Sequence, residues 1–212
     1  LTLARRNGAP EAVVLHPDGA SAIAALGEHG ASIVHLGADA AYGEFLAEPH
    51  AATLAAMIQA DSPDLILFTS SPVARDVMSR LMAKLQVGVV ANATDVRFDD
   101  NGQIRVTAPY GAETIGTVTV DGSGPALVQS RPKAFAAETV GGSAEVGPVS
   151  VAVAPETCRA RVIERVVQES EGPNLEEADV IVSGGRGLGS ADNYHLVAGL
   201  AKQLGGAAGA TR

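Results

Sequence analysis

Short apolar runs alternate with helix-like stretches along the first third of the chain. Residues 11–15, 32–36 and 65–68 are apolar and partly β-branched, which predicts three strands. Between them, residues 20–29 and 50–60 have the spacing of helices. Alternation of strands and helices is typical of a parallel sheet with helices on its faces, so we expect a Rossmann-like, three-layer α/β fold.

A longer amphipathic helix follows the third strand. Ser71 supplies an N-cap side chain, and Pro72 suits the first helical position. Apolar side chains then recur every four residues, which predicts a face packed on the sheet: Val73, Val77, Leu81 and Leu85. The charged residues are interpreted as the solvated face of this helix: Arg75, Asp76, Arg80 and Lys84.

The alternation of predicted strands and helices stops after residue 86. Four strand-like runs follow one another: residues 87–96, 103–108, 114–120 and 126–130. Turn-forming clusters at residues 99–102 and 121–124 divide them, and turns this short join antiparallel neighbours. We therefore predict an antiparallel extension beside the parallel sheet, with an architectural role, since it shows no nucleophile paired with a base.

A break in the pattern divides the chain into two domains. The pattern predicts a loop at residues 133–148, a strand at 149–153 and a helix at 156–170. That helix would turn four apolar side chains inward: Val162, Ile163, Val166 and Val167. The Gly-Pro pair just after it stops a helix. We expect an N-terminal α/β domain at 1–171 and, at 172–212, the first strand–helix–strand unit of a second α/β domain.

Composition and charge limit the possible partners. The 212 residues are 46% hydrophobic, enough for a substantial core, and carry a formal net charge of -9. An acidic surface disfavours nucleic acids and anionic membranes, so small molecules and proteins remain. The single cysteine, Cys158, cannot form an internal disulfide and is expected to be an unreactive helix residue. The histidines show no spacing typical of a metal site: His16, His29, His35, His50 and His195.

The sequence carries no membrane signal. No apolar run approaches the roughly 18 residues that span a bilayer, and no signal-peptide pattern opens the chain, so we expect a soluble intracellular protein without membrane insertion. The opening LTLARR looks like the end of a helix whose preceding strand is missing. We expect a chain that has lost both ends.

The most distinctive stretch is DVIVSGGRGLGS at residues 179–190, where an apolar run opens into four glycines within six residues. Glycines let the backbone lie against a ligand, and Arg186 between them can reach an anion. A helix-like stretch and a second short strand then lead to Arg212. Parallel strands joined by one crossover end at the same edge of the sheet, so we expect both arginines to face one crevice. Alternatively, Arg186 bonds nearby carbonyls and Arg212 is solvated.

Two common nucleotide motifs fit this stretch poorly. The dinucleotide fingerprint G-x-G-x-x-G would use Gly185 and Gly187, but its third position is Ser190, and no acidic residue follows at the required distance. A Walker phosphate loop would need Gly-Lys where the chain has Gly189 and Ser190. Neither motif is therefore assigned.

The order strand, SGGRG, helix, strand and GATR resembles the start of the FAD-binding domain in electron transfer flavoprotein alpha subunits. The matching segments are VIVSGGRGLGS at 180–190, ADNYHL at 191–196 and GATR at 209–212. Upstream, Arg75-Asp76, APYGAETIGTV at 108–118 and Arg131-Pro132 resemble other segments of the family in the same order. The resemblance therefore covers most of the chain.

The resemblance implies FAD as the cofactor, held mainly by the second domain. The implied cofactor-binding residues are Gly185, Arg186, Gly187, Thr211 and Arg212. Arg186 would make a polar contact with FAD, Thr211 would donate its hydroxyl, and Arg212 would set a positive charge near the isoalloxazine ring, which favours the reduced, anionic flavin. Ser183 is a weaker candidate, with a cap of the turn as the alternative. No catalytic residue or metal ligand is implied.

By the same resemblance the protein is an electron carrier and not an enzyme. It would form a heterodimer with an electron transfer flavoprotein beta subunit, which alone would hold AMP, in the bacterial cytoplasm or the mitochondrial matrix. Flavin dehydrogenases, such as the acyl-CoA dehydrogenases of fatty acid beta-oxidation, would donate electrons. A membrane quinone oxidoreductase or another acceptor would receive them, and domain 1–171 would chiefly be the scaffold for subunit pairing.

Two other interpretations stay open. An NAD-dependent Rossmann-type oxidoreductase would set the glycine turn under the pyrophosphate, but the chain shows neither an acidic ribose contact nor a catalytic group. The other is a non-catalytic nucleotide-binding or interaction domain. The family's later FAD-binding segments, Gly-Gln-Thr-Gly-Lys and Gly-Ile-Ser-Gly-Ala, lie beyond Arg212, so we expect these 212 residues alone to bind FAD weakly or not at all.

Overall fold

The structure of the chain, a computed structural model, describes residues 1–44, 46–111, 113–122, 124–152, 158–166, 173–175 and 178–210. The chain divides into two compact units, Leu1–Ile163 and Glu164–Arg212, each with its own helices and strands. The domain boundary predicted between residues 171 and 172 lies outside the described residues.

The described part of the first unit contains four α-helices, two short 3-10 helices and nine strands. The helices are α1 (Thr2–Arg5), α2 (Ile23–Glu28), α3 (Ala47–Asp61) and α4 (Pro72–Leu85). The strands are β1 (Ala12–Leu15), β2 (Ile33–Gly37), β3 (Leu65–Phe68), β4 (Val89–Ala93), β5 (Asp95–Phe98), β6 (Ile104–Tyr110), β7 (Thr114–Val120), β8 (Ala126–Ser130) and β9 (Glu145–Pro148).

These strands form three sheets. Two are parallel, with the strand orders β1-β2-β9 and β3-β8-β4. The third is the antiparallel sheet β5-β6-β7. Parallel sheets flanked by helices, with an antiparallel extension, confirm the predicted fold class.

The amphipathic helix α4 packs where its sequence predicts, except at its first turn. The Ser71 hydroxyl accepts a hydrogen bond of 3.0 Å from the backbone N–H three residues on, which caps the helix. Val77 and Leu81 face the core and are 4% and 0% exposed. Val73, expected on the same buried face, is 46% exposed and lies along an open cleft. The charged face is exposed, as interpreted.

The prediction that all four runs after residue 86 belong to the antiparallel extension is wrong for the run at 126–130 and for the first part of the run at 87–96. β4 and β8 lie in a parallel sheet, with β8 between β3 and β4. The run at 87–96 is two strands broken at Thr94, whose N–H and hydroxyl both donate to the Thr107 carbonyl, at 2.8 and 3.2 Å. This break carries the chain from the parallel sheet into the antiparallel one.

Two local predictions between residues 133 and 170 are also wrong. The strand expected at 149–153 lies earlier, at β9, which pairs in parallel with β2. Residues 158–166 form no helix, and Ile163 is 97% exposed where an inward position was expected. Cys158 is buried, although not in a helix. The remaining predicted inward residue, Val167, lies outside the described residues.

An ion pair stabilises the turn between β5 and β6. The Asp99 carboxylate accepts hydrogen bonds from Arg105 Nε at 2.8 Å and from the backbone N–H groups of Asn101 and Gln103 at 2.9 and 3.0 Å. The bond from Arg105, followed by the backbone bond from Gln103, lowers the pKa of the Asp99 carboxyl below its ordinary value of 3.8. The ionised carboxylate is thus favoured in the folded chain.

Replacing Asp99 with asparagine is expected to lower the Tm at neutral pH. A carboxyl whose pKa is lowered by folding stabilises the fold above its unfolded pKa, and that stability is lost as the pH falls through the folded pKa. The difference in Tm between Asp99→Asn and the unchanged chain should therefore shrink below about pH 4. Circular dichroism melts across this pH range measure it. Asp100→Asn, at the next and exposed position, is the control. A pH-independent difference, or the same difference in the control, would contradict the expectation.

Candidate cofactor site

The second unit, as far as it is described, is built on a parallel strand pair. Its elements are β10 (Ile181–Gly184), α5 (Tyr194–Gln203) and β11 (Ala207–Ala210). The register places Gly184 opposite Ala210, so the two strands end together. α5 covers the pair through Val197 and Ala201, which are 7% and 2% exposed. The carboxyl ends of both strands open on one edge, where sheets of this type bind ligands.

Each of the four glycines at the end of β10 and in the following turn has its own structural environment. A Cβ at Gly184 would lie 2.5 Å from Leu188 Cδ1 and 2.8 Å from Val197 Cγ2, so a side chain at this position would require these two neighbours to shift. Gly189 has a φ of 75°, a left-handed conformation that favours glycine. No atom lies within 4 Å of a Cβ placed at Gly187, so its backbone is open to a ligand. Gly185 is extended and exposed, directly before the turn.

The turn itself is a short 3-10 segment, Arg186–Leu188. The Leu188 N–H donates to the Gly185 carbonyl at 3.0 Å, and the Gly189 N–H donates to the Arg186 carbonyl at 3.1 Å. The first N–H groups of such a turn precede its internal hydrogen bonds and point away from it. Backbone donors and the arginine side chain therefore lie together at the end of β10.

Asn193, which was not predicted as a site residue, stabilises this turn with its side chain and its backbone. Its side-chain Nδ2 donates to the Leu188 carbonyl at 2.8 Å, and its backbone N–H donates to the Ser190 carbonyl at 3.2 Å. Ser190 accepts a hydrogen bond from the Asp192 N–H at 3.2 Å and so begins the path into α5. Serine just before a predicted helix is a typical capping residue, which is the signal that could have identified Ser190.

Arg186 is exposed, and among the described residues its guanidinium makes no hydrogen bond or ion pair. The alternative in which it bonds nearby carbonyls is therefore not what the described turn shows. Ser183 is exposed, and no hydrogen bond of its hydroxyl to the turn is seen in the described part of the chain. A free guanidinium beside an open glycine backbone fits a phosphate-bearing group such as FAD.

Thr211 and Arg212 lie outside the described residues. In the sequence they follow Ala210 directly, and Ala210 is paired with Gly184, which precedes Arg186 by two positions. The common crevice of the two arginines stays a prediction. In the described ranges, no three side chains of the metal-binding types lie close enough to hold a metal ion, and no helix there is long and apolar enough to cross a membrane.

The fold and the glycine turn place the chain among α/β proteins with a nucleotide-binding edge. Residues 1–156 match the family described as the electron transfer flavoprotein domain, and residues 174–212 match the electron transfer flavoprotein FAD-binding domain. The chain belongs to the electron transfer flavoprotein alpha-subunit family.

Individual relatives agree with the family match. The electron transfer flavoprotein subunit alpha of Mycobacterium leprae is 32% identical over all of this chain and 66% of its own length. That of Syntrophomonas wolfei is 33% identical over all of this chain and 67% of its own length. The mitochondrial subunit alpha of Arabidopsis thaliana is 29% identical over 79% of this chain and 47% of its own length. The chain thus spans about two thirds of the length of the first two relatives and about half of the third.

Proposed function

We propose that this chain acts in electron transfer as part of an electron transfer flavoprotein alpha subunit that carries FAD. Flavin dehydrogenases, such as acyl-CoA dehydrogenases, donate the electrons, and a quinone oxidoreductase or another acceptor receives them. The observation that carries the proposal is the open glycine turn with Arg186, which has no side-chain partner among the described residues, set where two parallel strands end together. The family match at residues 174–212 supports the choice of FAD over NAD.

The proposed site divides its tasks among residues of the turn and of the strand that follows α5. FAD, when bound, accepts and releases electrons. Gly185 and Gly187 let the backbone approach the cofactor, and Arg186 donates hydrogen bonds to its oxygen atoms, because a guanidinium presents a planar set of donors. Thr211 would donate its hydroxyl to the cofactor, and Arg212 would supply a positive charge that favours negative charge on the flavin.

The first unit is proposed to be the scaffold for pairing with a beta subunit. Its β6–β7 hairpin ends in exposed apolar side chains, with Tyr110 50% and Ile115 73% exposed. Exposed aromatic and aliphatic side chains beside a hairpin turn are suited to contact with another protein. By this proposal residues 1–171 form the pairing domain and 172–212 begin the FAD-binding domain, in a bacterial cytoplasm or a mitochondrial matrix.

Replacing Arg186 with alanine is expected to weaken FAD binding by about tenfold, because charge-assisted hydrogen bonds to the cofactor are lost. FAD is titrated while amide chemical shifts are followed by NMR, which detects weak as well as tight binding. The amides of residues 184–190 should move. Arg186→Lys keeps the charge but loses the planar donor set. Its affinity for FAD should fall between those of the unchanged chain and Arg186→Ala.

Arg80→Ala is the matched control, since Arg80 is an exposed arginine on α4 in the first unit. It should leave the FAD titration unchanged. Equal affinities for Arg186→Ala and Arg80→Ala would remove the proposed role of Arg186. Tighter binding of NAD than of FAD at residues 184–190 would favour the oxidoreductase interpretation instead.

A further inference from the structure

Asparagine is followed by glycine at two places in the chain, residues 7–8 and 101–102. In such a pair the side-chain carboxamide carbon of the asparagine can reach the backbone nitrogen of the glycine, and the glycine has no Cβ to shield that nitrogen. The pair can therefore close on itself to form an imide ring. Because both pairs consist of the same two residues, the fold decides which of them reacts.

The pair at Asn7 is held in place by its surroundings. The Asn7 Nδ2 donates to the carbonyls of Leu3, in α1, and Val96, in β5, both at 3.1 Å. The side chain is half-buried, and its Oδ1 atom is shielded from solvent. Turning the carboxamide carbon onto the backbone nitrogen of Gly8 would break both hydrogen bonds. This pair is therefore protected while the first unit stays folded.

The pair at Asn101 lies in the turn between β5 and β6. Asn101 and Gly102 are both exposed, and in the described part of the chain the Asn101 carboxamide makes no hydrogen bond. Its side chain can therefore turn toward the next residue. The Gly102 N–H donates to the Asp99 carbonyl at 2.9 Å, and this bond has to open before the nitrogen can react. An exposed turn opens more readily than a packed region.

We propose that Asn101 is a site of spontaneous deamidation in the folded protein, whereas Asn7 is protected. The Gly102 backbone nitrogen loses its proton and attacks Asn101 Cγ. The new C–N bond closes a succinimide ring, and the side-chain nitrogen leaves as ammonia. Solvent water then opens the ring. Cleavage of the bond from the ring nitrogen to Cγ leaves aspartate, and cleavage of its bond to the main-chain carbonyl carbon leaves isoaspartate, in which the chain continues through Cγ.

Either product changes the turn that positions Arg105. Aspartate adds a third carboxylate next to Asp99 and Asp100. Isoaspartate lengthens the main chain by one carbon atom within the turn. The Asp99 carboxylate accepts the backbone N–H groups of Asn101 and Gln103, which lie on either side of the inserted atom. The insertion alters the spacing of these two donors, so hydrogen exchange at residues 101–103 should be faster in the isoaspartate form.

The test uses the 212-residue chain kept at mildly alkaline pH, where a backbone nitrogen loses its proton more readily. Trypsin and a glutamate-specific protease release Asn101 within residues 98–105 and Asn7 within residues 7–11. Mass spectrometry follows the conversion of amide to acid in each peptide, and a sample taken at the start corrects for reaction during digestion. Conversion at Asn101 should be at least about tenfold faster than at Asn7, because only Asn7 has to give up two side-chain hydrogen bonds.

Unfolding the chain and changing the glycine are the two controls. In urea the two rates should approach each other, because Asn7 loses its protection and speeds up by about tenfold or more. Gly102→Ala sets a methyl group beside the attacking nitrogen and should slow conversion at Asn101 by at least about tenfold, with Asn7 unchanged. Gly102 has a φ of 76°, so alanine also strains this turn, and the urea experiment does not depend on that variant.

Several outcomes would overturn the proposal. They are no conversion at Asn101, equal rates at Asn101 and Asn7 in the folded chain, and a ratio of rates in urea as large as in the folded chain, since the fold would then not be its cause. Unchanged hydrogen exchange at residues 101–103 in the separated isoaspartate form would overturn the expected effect on the turn.

Discussion

Replacing Leu81 with alanine is expected to lower the free energy of unfolding of the first unit by about 3 kcal/mol, within the range of roughly 2 to 5 kcal/mol for buried leucines. Leu81 is 0% exposed and belongs to a cluster that joins α3 and α4 to the β3-β8-β4 sheet. Ile58 and Leu127 pack in this cluster from α3 and β8. The loss combines the removed apolar contact with the cavity left between helix and sheet.

Met82→Ala is the control, because Met82 is the next residue of the same helix and is 42% exposed. It should change the free energy of unfolding by less than about 1 kcal/mol, since alanine favours the helix and little buried surface is lost. Urea unfolding followed by circular dichroism measures both variants. Equal losses in the two would show that α4 does not hold the sheet through the Leu81 face.

The helical spacing of apolar residues predicted which face of α4 is buried. It did not predict which other element each turn of the helix packs against. Val77 and Leu81 recur at helical spacing and meet the sheet, as expected. Val73 has the same period, yet it faces the cleft between β1 and β3. Helical periodicity is a property of the local chain, whereas the partner of each turn depends on the arrangement of distant strands.

Pairing between strands that are far apart in the sequence also explains why the antiparallel prediction is wrong for β4 and β8. Short Gly- and Asp-rich turns usually join antiparallel neighbours, so the four runs were expected to form one antiparallel group. β8 instead pairs with β3, from which it is separated by some sixty residues, as in the pairing of Leu65 with Ala126. Its residues Ala126, Leu127 and Val128 are buried, and such a continuous apolar run is typical of an interior parallel strand. The apolar run of β8 therefore indicates a parallel strand, whereas the short turns before it indicate an antiparallel one.

The helix predicted at 156–170 shows the limit of local spacing. Val162, Ile163 and Val166 fit a helical period, but residues 158–166 are not helical and these three side chains are exposed. Most helical stability comes from packing an apolar face against other elements, and among the described residues these three side chains are not buried against any element. The helical spacing of apolar residues was therefore not sufficient to predict a helix at 156–170.

The glycine turn was predictable because its constraints are local. The strand, the four glycines and Arg186 follow directly from the sequence, and the register of β10 and β11 fits a single crossover. The hydrogen bond from Asn193 to the Leu188 carbonyl was not predictable in the same way. It depends on the path of the chain between the turn and α5, which residue types alone do not determine.

Replacing Gly206 with alanine is expected to have the second large effect, a loss of about 3 kcal/mol in the stability of the second unit. The N–H groups of Gly205 and Gly206 donate to the Lys202 and Ala201 carbonyls at 3.2 and 2.9 Å, which ends α5 and turns the chain into β11. A Cβ at Gly206 would overlap the Val180 carbonyl oxygen and lie 2.9 Å from Val180 Cβ.

That carbonyl accepts the Ala207 N–H at 2.9 Å, beside the first rung between β10 and β11, so the added methyl group would push the two strands apart. Hydrogen exchange should therefore speed up at the amides of β10 and β11, and FAD binding at the turn should weaken because the ends of the strands lose their register.

Gly199→Ala is the matched control. Gly199 lies inside α5 with no atom within 4 Å of its Cβ position, so alanine should stabilise the helix by about 0.5 to 1 kcal/mol. Unchanged exchange in Gly206→Ala would show that the strand pair does not depend on this close approach.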